Sequence, residues 1–432
     1  MRAAATLIAY AGLALLALGA AAWPAAGAAP RPWVAEFALA AGFVAFGVLA
    51  LEFALVARLH PLHEPFGSDA LMLFHRHMGL AAVVFCALHV FGLVATELPL
   101  ESLIPGRGSA LLTTGVAAFG LLALLIVLSL ARRRLPLSYE AWRTLHRWLA
   151  LGLLAVLVGH VLLSKGHSTR TAVRIALAVQ AGGALAVLLY YRFVRPARSA
   201  RHPWRIRENR AEEGDVRTLV LEPVDGERMR FAPGQFLWIS TRGPGGRDHP
   251  ISIVSSAERT EIELAIKALG DWSRQRVPNL QPGELVTLDG PFGNFTPDAC
   301  PAQAFVLVAG GIGVTPLLSM LRTLADRGDR RPVWLFYAAR NRERAPFLPE
   351  LERLKDRLAL QTVLVFEEGD SEANVERGFV DAKLLLRHLP PDLARVHAFV
   401  CGPAPMMDAL EHTLPAAGFE ARYVHTERFD MV

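Results

Sequence analysis

Six apolar stretches, each long enough to cross a bilayer, fill the first half of the chain. They cover roughly residues 3–22, 33–57, 70–95, 110–130, 142–164 and 171–194. A helix needs about 17–20 residues to span a hydrocarbon core. In lipid every backbone polar group must be satisfied within its own segment, so these stretches have to be helices. The fold class predicted for this half is a six-helix transmembrane bundle. The first stretch carries a lone Arg2 before an apolar run longer than the usual 7–15 residues of a signal peptide, so a retained helix is expected.

Charge orients the bundle. Residues 1–200 hold 16 Lys/Arg against 7 Asp/Glu, whereas the rest of the chain is net acidic. The basic balance thus belongs to the apolar half and gives no argument for a nucleic-acid partner. One set of helix joints (Arg58, Arg76, Arg132 to Arg134, Arg143, Arg147, Arg192, Arg195, Arg198) carries ten basic residues. The opposite set (Arg31, Arg107, Lys165, Arg170, Arg174) carries five. The richer set is expected on the cytoplasmic side. This predicts a multi-pass protein of the inner (plasma) membrane, in contact with lipid, with its C-terminal half in the cytoplasm.

The third and fifth stretches each hold two histidines 14 residues apart: His75 and His89, His146 and His160. Fourteen residues rise about 21 Å and return to within about 40° of the starting face. Each pair therefore lies on one face of its helix, with one member near each membrane surface. Both helices run in the same direction, so His75 lies level with His146 and His89 with His160. Two stacked bis-imidazole sites suit two b-type haems, with these four residues as the iron ligands. Imidazoles in a membrane core are costly and mark function. Gly79, Gly152 and Gly159 between the ligands would let a porphyrin approach the backbone. His77 has no matching partner and reads as polarity at a helix end. Arg76 and Arg147 read as plain positive-inside charge, with a haem-propionate contact as the other reading.

After about residue 200 the texture changes. Short β-rich runs (236–241, 251–255, 261–268, 285–288) between Pro/Gly turns predict a small antiparallel β-barrel. From about residue 302, apolar runs alternate with helical stretches, which predicts an α/β parallel sheet. The expected domains are 1–198, 199–299 and 300–432. Cys86, Cys300 and Cys401 lie far apart in sequence. That excludes a disulfide framework, a zinc site built from cysteines and a four-cysteine iron–sulfur cluster.

Several motifs punctuate this second half. His249-Pro250-Ile251-Ser252 lies on a strand. Gly270-Asp271-Trp272-Ser273 is a turn that opens a short helix, whose free N–H groups would suit a phosphate. Gly310-Gly311-Ile312-Gly313-Val314-Thr315 joins an apolar strand to a helix, a place where a pyrophosphate can approach the backbone. It is not the spaced G-x-G-x-x-G pattern. Cys401-Gly402-Pro403 ends a later strand. Arg340 and Arg342 would hold a 2′-phosphate or, equally simply, belong to a solvated loop. No EF-hand pattern occurs.

In this order, the motifs resemble the ferric reductase / NADPH oxidase family, in a prokaryotic member. The resemblance covers about residues 33–432. It implies a ferric-reductase-type transmembrane domain fused to a ferredoxin-NADP-reductase-type module. Hydride from NADPH or NADH would reduce FAD, and single electrons would cross two haems to an outer-side acceptor, a ferric chelate or O2. By the same resemblance His249, Pro250 and Ser252 touch the flavin, and Gly270 and Ser273 its pyrophosphate. Gly310, Gly311, Gly313 and Thr315 form the dinucleotide loop. Cys401 lies by the nicotinamide, and Phe429 packs near the flavin. Ser252 and Cys401 are the residues closest to the chemistry. Ile251 stands where the family usually has Phe or Tyr, so loose FAD binding is expected.

The loop between the fifth and sixth helices is short and leaves the outer haem uncovered. This suits either a chelate or oxygen. No obligate protein partner is evident. The rival readings are an electron-donor subunit for a periplasmic protein and a flavin reductase merely anchored by helices.

Overall fold

The computed structural model describes residues 2–22, 31–104, 108–241, 248–369, 375–393 and 395–428. Two compact units meet in the chain at Tyr191: a helical unit before it and a unit of two sheets from Arg192 onward.

The helical unit comprises α1 (Arg2–Ala14), α2 (Leu16–Ala22), α3 (Trp33–Leu55), α4 (His60–Thr96), α5 (Ala110–Leu130), α6 (Tyr139–Leu163) and α7 (Thr171–Leu189). Helix α4 breaks at Gly67, which takes φ 74° and ψ 167°, so its spanning part is Ala70–Thr96. Among the described residues, five helices are long and apolar enough to cross a membrane singly. The first expected span differs: α1 and α2 bend by 53°. The bend is held by a tertiary contact. It frees carbonyl groups, and the Gln180 side-chain amide of α7 donates to Leu13 O at 2.7 Å and Ala14 O at 3.3 Å. Gly47 of α3 permits the approach, because a Cβ there would lie 2.1 Å from Ala14 O. Ser109 and Ser138 cap α5 and α6, accepting from the N–H groups of Leu112 and Ala141.

The second unit opens with α8 (Arg195–Arg201). Its first sheet contains β1 (Trp204–Glu212), β2 (Val216–Pro223), β3 (Phe236–Ser240), β4 (Asp248–Ser252), β5 (Ile262–Lys267) and β6 (Leu285–Phe292), in the order β4-β3-β6-β1-β2-β5. All its ladders are antiparallel. A bridge from Ile253, just past β4, to Leu264 of β5 joins the two edges. Trp204, Ile206, Leu219, Leu221, Leu237, Ile239, Ile262 and Leu264 fill the interior.

The second sheet has β7 (Ala304–Gly310), β8 (Val333–Ala339), β9 (Leu360–Phe366), β10 (Val375–Arg377), β11 (Val396–Gly402) and β12 (Val424–Arg428), in the order β10-β9-β8-β7-β11-β12. Every ladder is parallel. Helices α9 (Val314–Asp326) and α10 (Leu348–Leu354) cover one face; α11 (Ala382–His388) and α12 (Ala404–Ala416) cover the other. Strands β7 and β11 are buried along their whole length, as parallel strands covered on both faces must be. The strand order reverses between β7 and β11. That crevice, beyond the carboxyl ends of the strands, is where open α/β sheets take ligands.

Candidate functional site

In the helical unit the histidines of α4 and α6 pair as their spacing requires. The ring centres of His75 and His146 lie 6.3 Å apart, and those of His89 and His160 also lie 6.3 Å apart. Two imidazole–metal bonds of about 2 Å, plus about 1 Å from each nitrogen to its ring centre, span about 6 Å. Each ring has a partner at Nδ1. His89 donates to Ala38 O at 2.9 Å and His160 to Leu111 O at 3.0 Å. His146 donates to Ser129 Oγ at 3.3 Å, and His75 Nδ1 faces the Glu52 carboxylate. With Nδ1 engaged, Nε2 is the nitrogen left for a metal on all four rings.

Small residues support the arrangement. A Cβ on Gly42 would lie 2.7 Å from His89 Nδ1, and one on Gly115 2.9 Å from His160 Cε1. A Cβ on Gly152 or Gly159 would meet nothing within 4 Å. The donor set and spacing therefore fit two haems. His77, by contrast, bonds Leu73 O within its own helix. Glu52 escaped the sequence reading. Its signal was an acid inside the second apolar stretch, and an intramembrane acid is functional by default.

In the second unit the predicted loop residues converge on the β7–β11 crevice. Gly310 ends β7, Gly311 opens the turn after it, and a Cβ on Gly313 would lie 2.2 Å from Cys401 O. A Cβ on Gly310 would strike Met406 Sδ and Pro403 Cδ at 2.7 Å. These two glycines are thus demanded by the chain's own packing. Gly311 is left-handed, with φ 53°, and faces Lys267 of β5: a Cβ on it would lie 3.9 Å from Nζ. Lys267 was not singled out in sequence, since an isolated Lys ending a strand gives no local signal. Thr315 is buried and donates to Ile312 O at 2.9 Å, closing the loop. Cys401 is fully buried at the end of β11.

Arg340 and Arg342 follow β8. Arg340 pairs with Glu368 at 3.1 Å, and Arg342 lies 5.9 Å from the Phe366 ring centre. In the first sheet, His249, Pro250 and Ser252 lie on β4. His249 stacks on Trp272, ring centres 3.9 Å apart and planes within 9°. Ser252 is buried opposite Phe236, while Ile251 pairs with Leu237 and packs on the interior cluster. The turn after Gly270 opens a short helical stretch. It is a short π turn, and Ser273 Oγ itself accepts the N–H groups of Leu269 and Gly270, both at 2.9 Å. Those donors are therefore not free for a phosphate. Phe429 lies outside the described residues.

Inside this unit Arg322 of α9 joins the two sheets. It bonds Glu350 at 2.6 and 2.8 Å, Glu263 of β5 at 3.1 Å and Val254 O at 3.2 Å. Burial lowers its pKa, but the hydrogen bonds and charges of Glu350 and Glu263 more than offset this and hold it above the ordinary value.

A helical unit with paired histidines is thus followed by an antiparallel sheet and a glycine-looped parallel sheet. The "Ferric reductase like transmembrane component" family matches residues 41–163 and the "Oxidoreductase NAD-binding domain" family residues 307–412. The chain is 31% identical over 229 residues to the glycine betaine monooxygenase reductase subunit of Chromohalobacter salexigens, covering 50% of this chain and 61% of that one. It is 31% identical over 231 residues to ferredoxin–NADP reductase B of Sorangium cellulosum, covering 50% of this chain and 92% of the other. Flavohemoglobin from Malassezia yamatoensis, solved with bound FAD and heme, shares the fold at 19% identity and TM-score 0.51, over 91% of this chain and 97% of its own. The chain spans about three fifths of the length of the first curated relatives it matches. A ferric-reductase-like transmembrane domain thus precedes an FAD- and NAD(P)-binding module of ferredoxin-reductase type, an architecture consistent with the ferric reductase / NADPH oxidase-like family.

Proposed function

We propose that the protein carries electrons from cytoplasmic NAD(P)H across the inner membrane to a ferric chelate or O2 on the outer side. The observation that carries this reading is the pair of His–His couples, each 6.3 Å between ring centres and anchored at Nδ1. FAD, when bound, splits the hydride's two electrons, and two b-type haems relay them singly. The six-helix bundle with α1 and α2 as one broken span (1–198) holds the haems. The barrel (199–299) holds FAD, and the α/β domain (300–432) holds the nucleotide.

The chain's own residues supply ligation and position. His75 and His146 hold the inner iron, and His89 and His160 the outer. Ala38 O, Leu111 O, Ser129 and Glu52 fix the ring tautomers. His249, Pro250 and Ser252 line the flavin edge, and Gly270 and Ser273 set the turn beside its pyrophosphate. Gly310, Gly311, Gly313 and Thr315 would present the loop to the dinucleotide, Arg340 and Arg342 would hold a 2′-phosphate, and Lys267 and Cys401, which flank the loop, would contribute to the same site. No acid or base is needed at the haems.

Two haems per chain by pyridine haemochrome, and outer-side Fe(III) reduction or oxygen uptake driven by NAD(P)H, are the expected results. Superoxide dismutase distinguishes direct iron reduction from reduction by superoxide. Purified protein with full FAD and no Soret absorbance sinks the proposal. A second reading, in which the acceptor is a protein, is favoured by relatives named as reductase subunits. Copurification of a periplasmic partner together with failure to reduce free chelates or O2 selects it.

A further inference from the structure

Cys300, His397 and His425 are brought together at the end of the parallel sheet remote from the nucleotide crevice. Their donor atoms all lie within 4.8 Å of one another. His397 Nδ1 is 2.9 Å from His425 Nε2, and Cys300 Sγ is 3.5 Å from the same nitrogen. Tetrahedral zinc, with bonds of about 2.3 Å to sulfur and about 2.0 Å to nitrogen, needs N···N of about 3.3 Å and S···N of about 3.6 Å. The observed spacings differ from these by a few tenths of an ångström or less.

The positions are built into the sheet. His397, Phe399 and Cys401 alternate onto one face of β11, and His425 of β12 is the register partner of Phe399. The rings are held by stacking: His425 lies 5.2 Å from His397 with planes within 8°, and 4.6 Å from Phe399 with planes within 17°. Tyr423 sits 4.7 Å from His397 on another side. Cys300 is a free thiol in the segment joining the two sheets. One thiolate and two imidazoles form a soft to borderline donor set that selects Zn(II) or Cu(I) and rejects Mg(II) and Ca(II).

We propose that Cys300, His397 and His425 bind one zinc(II) ion, with the fourth position open to water, bracing the segment between the sheets to the C-terminal strand. Binding forms a Zn–S bond and two Zn–N bonds and releases the thiol proton to solvent. The inference is independent of the haem and flavin assignments. The sequence excluded a zinc site built from cysteines; this one has a single cysteine, and its histidines come from strands far along the chain.

The test uses the full-length protein in detergent, equilibrated with zinc sulfate and desalted against a weak chelator. Zinc is then counted per chain and its shell read by X-ray absorption at the zinc edge. One zinc per chain with one sulfur and two imidazoles is expected. Cys300→Ser and His425→Ala should each lower retention at least tenfold, while Cys86→Ser and His202→Ala leave it unchanged. FAD content and NADH–dye activity show that each variant is folded, and added zinc should raise the melting point of wild type but not of Cys300→Ser. The proposal is overturned by fully loaded wild type that retains no zinc, or by a shell without sulfur. Equal retention by Cys300→Ser, loss in His202→Ala instead, or a site filled only by copper(I) also overturns it.

Discussion

Gly313 and Cys401 touch through their backbones: a Cβ on the glycine would lie 2.2 Å from the cysteine's carbonyl oxygen. The loop and the strand end are therefore one packed unit. Backbone cannot yield as a side chain can, so Gly313→Ala should displace the loop. We expect at least a tenfold fall in kcat/KM for NADH and NADPH alike in a dye-reduction assay, with haem content unchanged. Gly310→Ala should be milder, because it meets side-chain atoms of Met406 and Pro403 rather than backbone, and at longer distance. Equal, small effects of both substitutions would show that the loop tolerates the shift.

The histidine couples predict paired losses. His75→Ala or His146→Ala should remove one haem, and His89→Ala or His160→Ala the other, each lowering Soret absorbance by about half and stopping outer-side reduction. Flavin-level dye reduction should survive. Glu52→Gln should keep both haems but raise the potential of one, because the imidazole facing Glu52 loses the carboxylate that makes it more electron-rich. Redox titration reads this directly; full haem content in any of the four histidine variants contradicts the ligation.

The bundle and the couples were legible because their signals are local: apolar length, and a 14-residue spacing on one helix face. The glycine loop was legible for the same reason. Strand β1 was not, since Trp-Arg-Ile-Arg-Glu-Asn-Arg-Ala-Glu reads as charged. Its outward residues are paired across the sheet, as Arg205 with Glu222 and Arg210 with Glu263. The break between α1 and α2 was invisible because the amide that stabilises it, Gln180, comes from the last spanning helix. Lys267 and the Cys300–His397–His425 cluster likewise arise only from tertiary contact.

Arg340 and Arg342 follow β8, the strand beside the loop strand β7. The Arg340 side chain pairs with an exposed carboxylate, Glu368. An exposed pair of this kind is worth roughly 0–1 kcal/mol, so it can release to a 2′-phosphate at little cost. Replacing both arginines by Gln should raise the KM for NADPH about tenfold or more while changing that for NADH less than twofold. Equal changes for the two nucleotides would assign the arginines to a surface loop.

Acid should loosen the second unit through two carboxylates of the α9 end. Burial raises the Asp326 pKa, but bonds from Arg357, Ser256 and Arg259 outweigh it and leave it below the ordinary value. Hydrogen bonds from Arg331 hold Asp329 down as well. A carboxyl whose folded pKa lies below its unfolded value stabilises the fold above about pH 4 and loses that contribution as pH falls through the folded value. The melting point, followed by flavin release, should be flat from pH 7 to about 5 and fall below about 4. Asp326→Asn should lower the plateau and flatten the fall. An unchanged slope in that variant would place the acid sensitivity elsewhere.

Flavin affinity is expected to depend on Trp272 rather than on Ile251. The sequence suggested that Ile251, in place of an aromatic, leaves the flavin ring without a stacking partner. The register of β4 places Ile251 opposite the fully buried Leu237, and it packs on the interior cluster. Opposite residues of an antiparallel pair share a face. Tyrosine there would overfill a packed interior at about 1–3 kcal/mol. Trp272 stands better placed: it stacks on His249 at 3.9 Å and donates from Nε1 to Thr241 Oγ1 at 3.2 Å. An aromatic contact is worth about 0.5–1.5 kcal/mol beyond burial, and 1.4 kcal/mol is about tenfold in affinity. Trp272→Ala should therefore weaken FAD by roughly 2- to 10-fold in a titration of deflavinated protein, with Trp272→Phe near wild type. Ile251→Tyr should lower the melting point and leave FAD affinity within twofold. Tighter FAD in Ile251→Tyr would return the missing-aromatic explanation and remove Trp272 from the flavin site.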